Sequence, residues 1–235
     1  MVLTPSSPAR PPRPRPAPLP PGVDRPELYA PGALFSWQEL QAMAVDGVVT
    51  RLFQRGYLPP GARATPQLRA RAAALIIPPA VRARVVAGRM TAAWIYDGTQ
   101  EPDRLALLVD AGHRVSGLRS MRGCTLHEVR LGPFDVVNFG GLLVSSPLRT
   151  ALDIALHVEA DRAVPALRAL LARPELGVRL RLLRVAVEAS PRLPHKKAAL
   201  EKLAALVPGA LPAPLPVAAG PGTPDSVRPG AGLVA

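Results

Sequence analysis

Along the chain the apolar positions change period twice, and each change separates one kind of element from the next. In the segment from Leu34 to Gly47, Trp37, Leu40, Met43 and Ala44 recur at helical spacing. Ser36 stands where a helix N-cap belongs, Glu39 three residues on completes a capping box, and Gly47 supplies the stop. The next run, Val48 to Leu58, is β-branched and aromatic with a glycine near its middle and ends at Pro59-Pro60, which predicts a short hairpin. Thr65-Pro66 then opens a helix, because threonine caps and proline tolerates the first helical position. Its expected apolar stripe is Leu68, Ala72, Leu75 and Ile76, and Pro78-Pro79 should end it. An alanine-rich helix through Met90 to Tyr96 is broken by Asp97-Gly98.

After Gly98 the pattern shortens to that of strands. Leu105 to Val109 is a continuous apolar run, Thr125 to Leu131 alternates, and Phe134 to Val137 and Leu142 to Val144 flank Gly140-Gly141, which together predict a small sheet. From Ser146 the helical period returns, with segments expected at 147–158, 161–172, 178–189 and 195–206, separated by Pro174, Gly177, Pro191 and Pro194. The fold class expected is α+β: a small winged-helix-like N-terminal module, a central mixed sheet and a helical C-terminal layer.

Composition adds boundaries to this picture. Eleven of the thirty prolines fall within the first 31 residues and seven lie from Pro208 onward, so both ends lack the apolar groups needed to offset the entropy of ordering. The expected organisation is therefore a Pro/Arg-rich disordered tail over 1–32, the truncated winged-helix-like module over 33–60, an α+β domain over 61–207 and a disordered Pro/Gly/Ala tail over 208–235. The single cysteine, Cys124, excludes an internal disulfide framework and suits a reducing compartment. With no secretory pattern and no apolar stretch of the ~18 residues that a bilayer requires, the expectation is a cytoplasmic protein that neither spans nor inserts in a membrane.

The net charge is +12 and unevenly placed: residues 61–90 hold six arginines and no acid, whereas 91–110 are net acidic. Basic patches of this kind meet phosphate, although solvated helix faces produce the same pattern.

In order, a short helix and wing ending at Gly56-Tyr57, an alanine-rich helix with Thr91-Ala92-Ala93-Trp94, strands, and then Val144-Ser145-Ser146-Pro147-Leu148-Arg149-Thr150-Ala151-Leu152-Asp153-Ile154-Ala155 form a layout that resembles the AbiEi-type antitoxins of type IV (abortive infection) toxin-antitoxin systems, in their actinobacterial branch. The similarity covers roughly Phe35 to Leu206, and 144–155 is its sharpest part. The resemblance implies a non-enzymatic transcriptional regulator that binds its own promoter DNA and counters a nucleotidyltransferase-like toxin, usually without gripping that toxin directly.

Within the winged-helix-like module, Gln38 and Gln41 are the side chains of the first helix able to read a base edge, since it carries no Lys or Arg. Arg51 and Arg55 on the wing, with Arg63, Arg69 and Arg71 after it, are the candidates for phosphate contact. A packing or dimerisation role for the same module stays open, as does a family member that has lost DNA binding. In the sharpest segment, Ser146, Arg149, Thr150 and Asp153 form either an anion site at a helix start or a structural Arg149–Asp153 pair. The structural reading is favoured because no Gly-rich phosphate loop precedes the helix.

Catalytic chemistry is thinly supported. Asp110 followed by Glu128-Val129-Arg130 has the spacing of a metal-dependent nuclease, but arginine replaces the lysine that such chemistry uses, and a guanidinium hardly deprotonates. The histidines at 113, 127, 157 and 195 lack ligand spacing, Cys124 has no neighbouring base, and no nucleotide-binding glycine motif is present, so neither a metal nor a cofactor is expected.

Overall fold

The computed structural model describes residues 27–112, 121–189 and 195–207. The tails expected at 1–26 and 208–235, and His113, lie outside the described residues.

Helix α1 (Trp37–Val45) begins with the expected capping box: Ser36 accepts from the Glu39 amide, and Glu39 accepts from the Ser36 amide at 2.7 Å. It rests on a hairpin of β1 (Thr50–Phe53) and β2 (Gly56–Leu58), and Leu40, Val49 and Tyr57 form a small core of their own. Residues 27–32, placed in the N-terminal tail by composition, are instead part of this module. Tyr29 exchanges two backbone hydrogen bonds with Tyr57, at 2.8 and 2.9 Å, and its ring meets Phe35 edge-on. One large aromatic and a free strand edge outweigh the surrounding prolines. Trp37, expected on the inner face of α1, is half exposed, because Leu40 takes the place against the hairpin.

Helix α2 (Pro66–Ala74) is capped by Thr65 and buries Leu68 and Ala72, but it stops before Leu75, which is exposed. Pro79 does more than end a helix. It opens the single turn α3 (Pro79–Arg82), in keeping with proline's tolerance for a first helical position. After β3 (Val86–Ala87) comes α4 (Arg89–Asp97), closed by Gly98 in the left-handed conformation.

The five-stranded sheet runs β5-β4-β3-β7-β6, formed with β4 (Leu105–Asp110), β5 (Cys124–Val129), β6 (Val136–Phe139) and β7 (Leu142–Ser145). Its pairings are mixed: β3 is antiparallel to β4 and parallel to β7, β4 is parallel to β5, and β6 is antiparallel to β7. The central strand has only two residues, too few for a period-two pattern, and the sequence reading misses it. Helices α5 (Pro147–His157), α6 (Ala160–Leu171), α7 (Leu180–Ala189) and α8 (Lys196–Ala204) build the C-terminal layer close to their expected bounds. The α+β class is thus realised, and among the described residues no helix is long and apolar enough to cross a membrane.

The two ends of α4 depend on glycine and arginine packing rather than on propensity. A Cβ at Gly88 would lie 2.5 Å from Leu108 Cγ, so only glycine lets the start of α4 press against β4. At the other end of α4, Arg69 donates to the carbonyls of Ile95 and Tyr96 at 2.9 and 3.2 Å, and Arg173 donates to that of Asp97 at 3.1 Å.

Candidate functional sites

The seven residues expected to face nucleic acid separate into two groups. Gln41 is half buried and its amide donates to the Tyr57 hydroxyl. Arg51 faces Glu101 at 3.7 Å, and Arg71 pairs with Glu27 at 2.7 Å. Arg69 is buried beneath α4, a correction to its expected place on a phosphate-facing surface: α4 leaves carbonyls unpaired at its C-terminal end, and a guanidinium with several donors satisfies them. Gln38, Arg55 and Arg63 remain exposed, with no ion pair among the described residues. The hairpin turn that carries Arg55 approaches the 121–123 turn, where Gln54 lies near Gly123.

Arg69 belongs to a wider pattern that spacing could not reveal. Arg82 donates to the Ala74 and Ile77 carbonyls after α2, Lys202 to Ala155 and Val158 after α5, Lys196 to Glu188 in α7, and Arg168 to Ala205 after α8. Cations placed at helix C-termini meet both unpaired carbonyls and the negative end of the dipole. Part of the positive charge therefore has a structural destination at helix ends.

The segment at the start of α5 resolves into a structural junction. Arg149 donates from Nε to both oxygens of Asp153 at 3.0 Å, and from Nη1 to Asp135 Oδ2 at 2.7 Å and the Arg130 carbonyl at 2.9 Å. The Arg149 side chain is 14% exposed and that of Asp153 5%. Burial pushes the Asp153 carboxyl above its ordinary value, opposed by Arg149 and then Arg89. Thr150 and Ser145 are buried and share a 2.7 Å hydroxyl contact, while the Ser145 carbonyl accepts from Tyr96 Oη at 2.8 Å. Ser146 makes no side-chain cap, contrary to expectation; its amide donates to the Asp135 carbonyl instead. The groups expected to converge on an anion are thus bonded to one another, tying α5 to the β6 approach and to α4.

The nuclease-like residues do not assemble. In the parallel β4–β5 pair, Asp110 is in register with Val129 and Glu128 with Val109. Side chains alternate faces along a strand, so Asp110 and Glu128 project from opposite faces of the sheet. Asp110 accepts from the Leu131 amide. Among the described residues no group of His, Cys, Asp and Glu could hold a metal ion.

A cluster that the sequence reading passed over lies where α4 starts. Arg89 Nη1 is 3.3 Å from His127 Nε2, and the His157 ring meets that of His195 at 6.3 Å. Arg89, Arg104, His127, His157 and Arg162 line a cleft of about 360 Å³ between α4, the sheet and the α5–α6 corner. Burial, then the Arg89 charge, lowers the His127 pKa, and burial with Arg89 foremost among the neighbouring charges takes His157 down to about 4. Histidines scattered over the sequence gave no spacing signal, because β5, α5 and α8 meet only in the fold.

No family model matches the chain, and no curated relative does. Among solved structures, the chain is similar to the crystal structure of the RV2827C protein from Mycobacterium tuberculosis, at 17% identity and a TM-score of 0.38, over 72% of this chain and 63% of that one. The match spans less than two thirds of that protein's length.

Proposed function

We propose that this chain is a cytoplasmic, non-catalytic, DNA-binding regulator of the antitoxin kind, acting on its own promoter and countering a nucleotidyltransferase-like toxin. The observation that carries the DNA-binding part is the exposed trio Gln38, Arg55 and Arg63 on and beside a helix–hairpin module, free of the ion pairs that occupy Arg51 and Arg71. Arg55 at a hairpin turn is suited to a phosphate contact, and Gln38 in the first turn of α1 to a base edge. The antitoxin part rests on the resemblance alone.

A mobility-shift titration on the DNA upstream of the protein's own gene, repeated across salt concentrations, tests it. Each phosphate contact contributes about 0.9 to the slope of log affinity against log salt, so Arg55→Ala with Arg63→Ala should flatten the slope by about 2. No shift at low salt, or a slope unmoved by the double substitution, would refute the proposal. The antitoxin part is tested separately, by whether co-expression relieves growth arrest caused by a nucleotidyltransferase-like toxin encoded beside it.

A second reading, a module that binds protein rather than DNA, has its own observation. Around α1, Leu34 is 66%, Trp37 50% and Val45 86% exposed. Sedimentation of the intact chain and of Trp37→Ser distinguishes self-association through this face from a monomer.

A further inference from the structure

We propose that the cleft at the start of α4 binds a small phosphate-bearing ligand, a phosphomonoester or free phosphate, with Arg89, Arg162 and His127 as its contacts. The inference is independent of the DNA-binding reading, since none of these residues belongs to the helix–hairpin module.

Three features of the cleft point the same way. First, Arg89 carries polar capacity that is lightly used among the described residues: its Nε is buried without a hydrogen-bond partner, and its Nη1 lies 3.3 Å from an imidazole nitrogen. The Nε itself is sealed from solvent, so an anionic acceptor in the cleft would be met by the Nη edge of this lightly held guanidinium. Second, Arg89 holds a φ of +49°, in the left-handed region that side-chain-bearing residues avoid. Such strain persists where the surroundings over-determine it. Here Gly88 is pressed on Leu108, its amide donates to the Ala106 carbonyl at 2.9 Å, and the Arg89 guanidinium lies beside His127. Third, the cleft offers donors of different kinds from separate elements, Arg89 of α4, His127 of β5 and Arg162 of α6, a convergence that suits a compact oxyanion.

The charge balance sets the ligand's size and class. Three arginines line the cleft against two carboxylates, Asp103 and Glu159, both exposed. Glu159 also acts on the charge of Lys202. Behind Arg89, Asp153 is already shared with Arg149, whose Nε holds both of its oxygens. The excess positive charge is modest, so recognition depends on directed hydrogen bonds to one small anionic group rather than on a long-range field. A volume of about 360 Å³ fits a small metabolite within the range of ordinary ligand sites.

Calorimetric titration of the full chain with inorganic phosphate and with glycerol phosphate, against a chloride control at equal ionic strength, tests the assignment. Saturable one-site binding is expected, with shifts of the His127 and His157 ring signals in nuclear magnetic resonance. Arg162→Gln should weaken binding by about tenfold and Arg89→Gln by at least as much, the size of a lost charged hydrogen bond. Arg162 is exposed and Arg162→Gln is the variant that keeps the test decisive should Arg89→Gln fail to fold. Absence of binding at millimolar phosphate, chloride competing equally, or unchanged affinity in Arg162→Gln would overturn the proposal. Displacement of phosphate by duplex DNA would also overturn it, by making the cleft part of a nucleic-acid surface.

Discussion

Phe53, on the first strand of the hairpin, lies against Trp94 of α4 with ring centroids 4.7 Å apart and planes tilted by 41°. Both rings are buried, and the contact joins the N-terminal module to the core of the larger domain. The wing is therefore anchored by its inner face while its turn, with Arg55, stays in solvent.

Phe53→Ala should cost about 3–5 kcal/mol, the range for emptying a buried aromatic site. Urea denaturation followed by Trp fluorescence measures it. A loss below ~1 kcal/mol would mean that the module is not held by this contact.

Arg149→Met should destabilise the protein by about 3 kcal/mol, since it leaves Asp153 buried without its main partner. The figure sits at the low end for a broken buried pair because Arg89 still faces Asp153. Replacing Asp153 with Leu in the same chain should recover part of the loss. DNA affinity should be unchanged in both variants, whereas a selective loss of affinity with intact thermal stability would restore the anion-site reading of this segment.

Arg69→Met removes the donors that satisfy the Ile95, Tyr96 and Ala64 carbonyls and should cost about 2–4 kcal/mol. Arg69→Lys should recover little, because one ammonium cannot span three acceptors as a planar guanidinium does. Gly98→Ala strains the same junction from the other side: its φ is +77°, and the new Cβ would lie 2.8 Å from Arg69 Nη1. Thermal unfolding of the three variants ranks them, and Arg69→Lys matching the parent would contradict this account.

The histidines by the cleft make stability depend on acid. His157 has its pKa lowered from 6.5 to about 4 and His127 is lowered as well, so the fold holds neutral imidazoles that the unfolded chain protonates more readily. Their contribution is fully present above about pH 6.5 and is lost as the pH falls toward 4. His157 is buried on the side that faces the cleft but the residue as a whole is exposed, so solvent screening keeps the slope shallow. Asp153, raised by burial, acts in the opposite sense: its contribution is present below its unfolded value and lost as the pH rises through the folded one. Between pH 7 and 5, urea midpoints should fall in the parent and fall less in the His127→Gln/His157→Gln variant. Equal slopes would contradict the assignment.

Local signals determined much of the architecture without help. The Ser36–Glu39 capping box, the Thr65-Pro66 start, the Gly98 stop and the four C-terminal helices act over one or two turns, so their residues are neighbours in sequence as well as in space. Tertiary structure decided what depends on distant partners. The two-residue strand Val86–Ala87 is central because β4 and β7 bracket it, not because of its own pattern. The destination of the arginines was likewise beyond the sequence, because charge is visible there but the carbonyl at a distant helix end is not. Arg69 is a buried cap and Arg89 a donor beside His127 for that reason, with 26 and 38 residues between them and the groups that decide their roles. The Arg149–Asp153 pair, one turn apart on α5, was legible in the sequence, and only the Asp135 and Arg130 contacts that make it a junction were not.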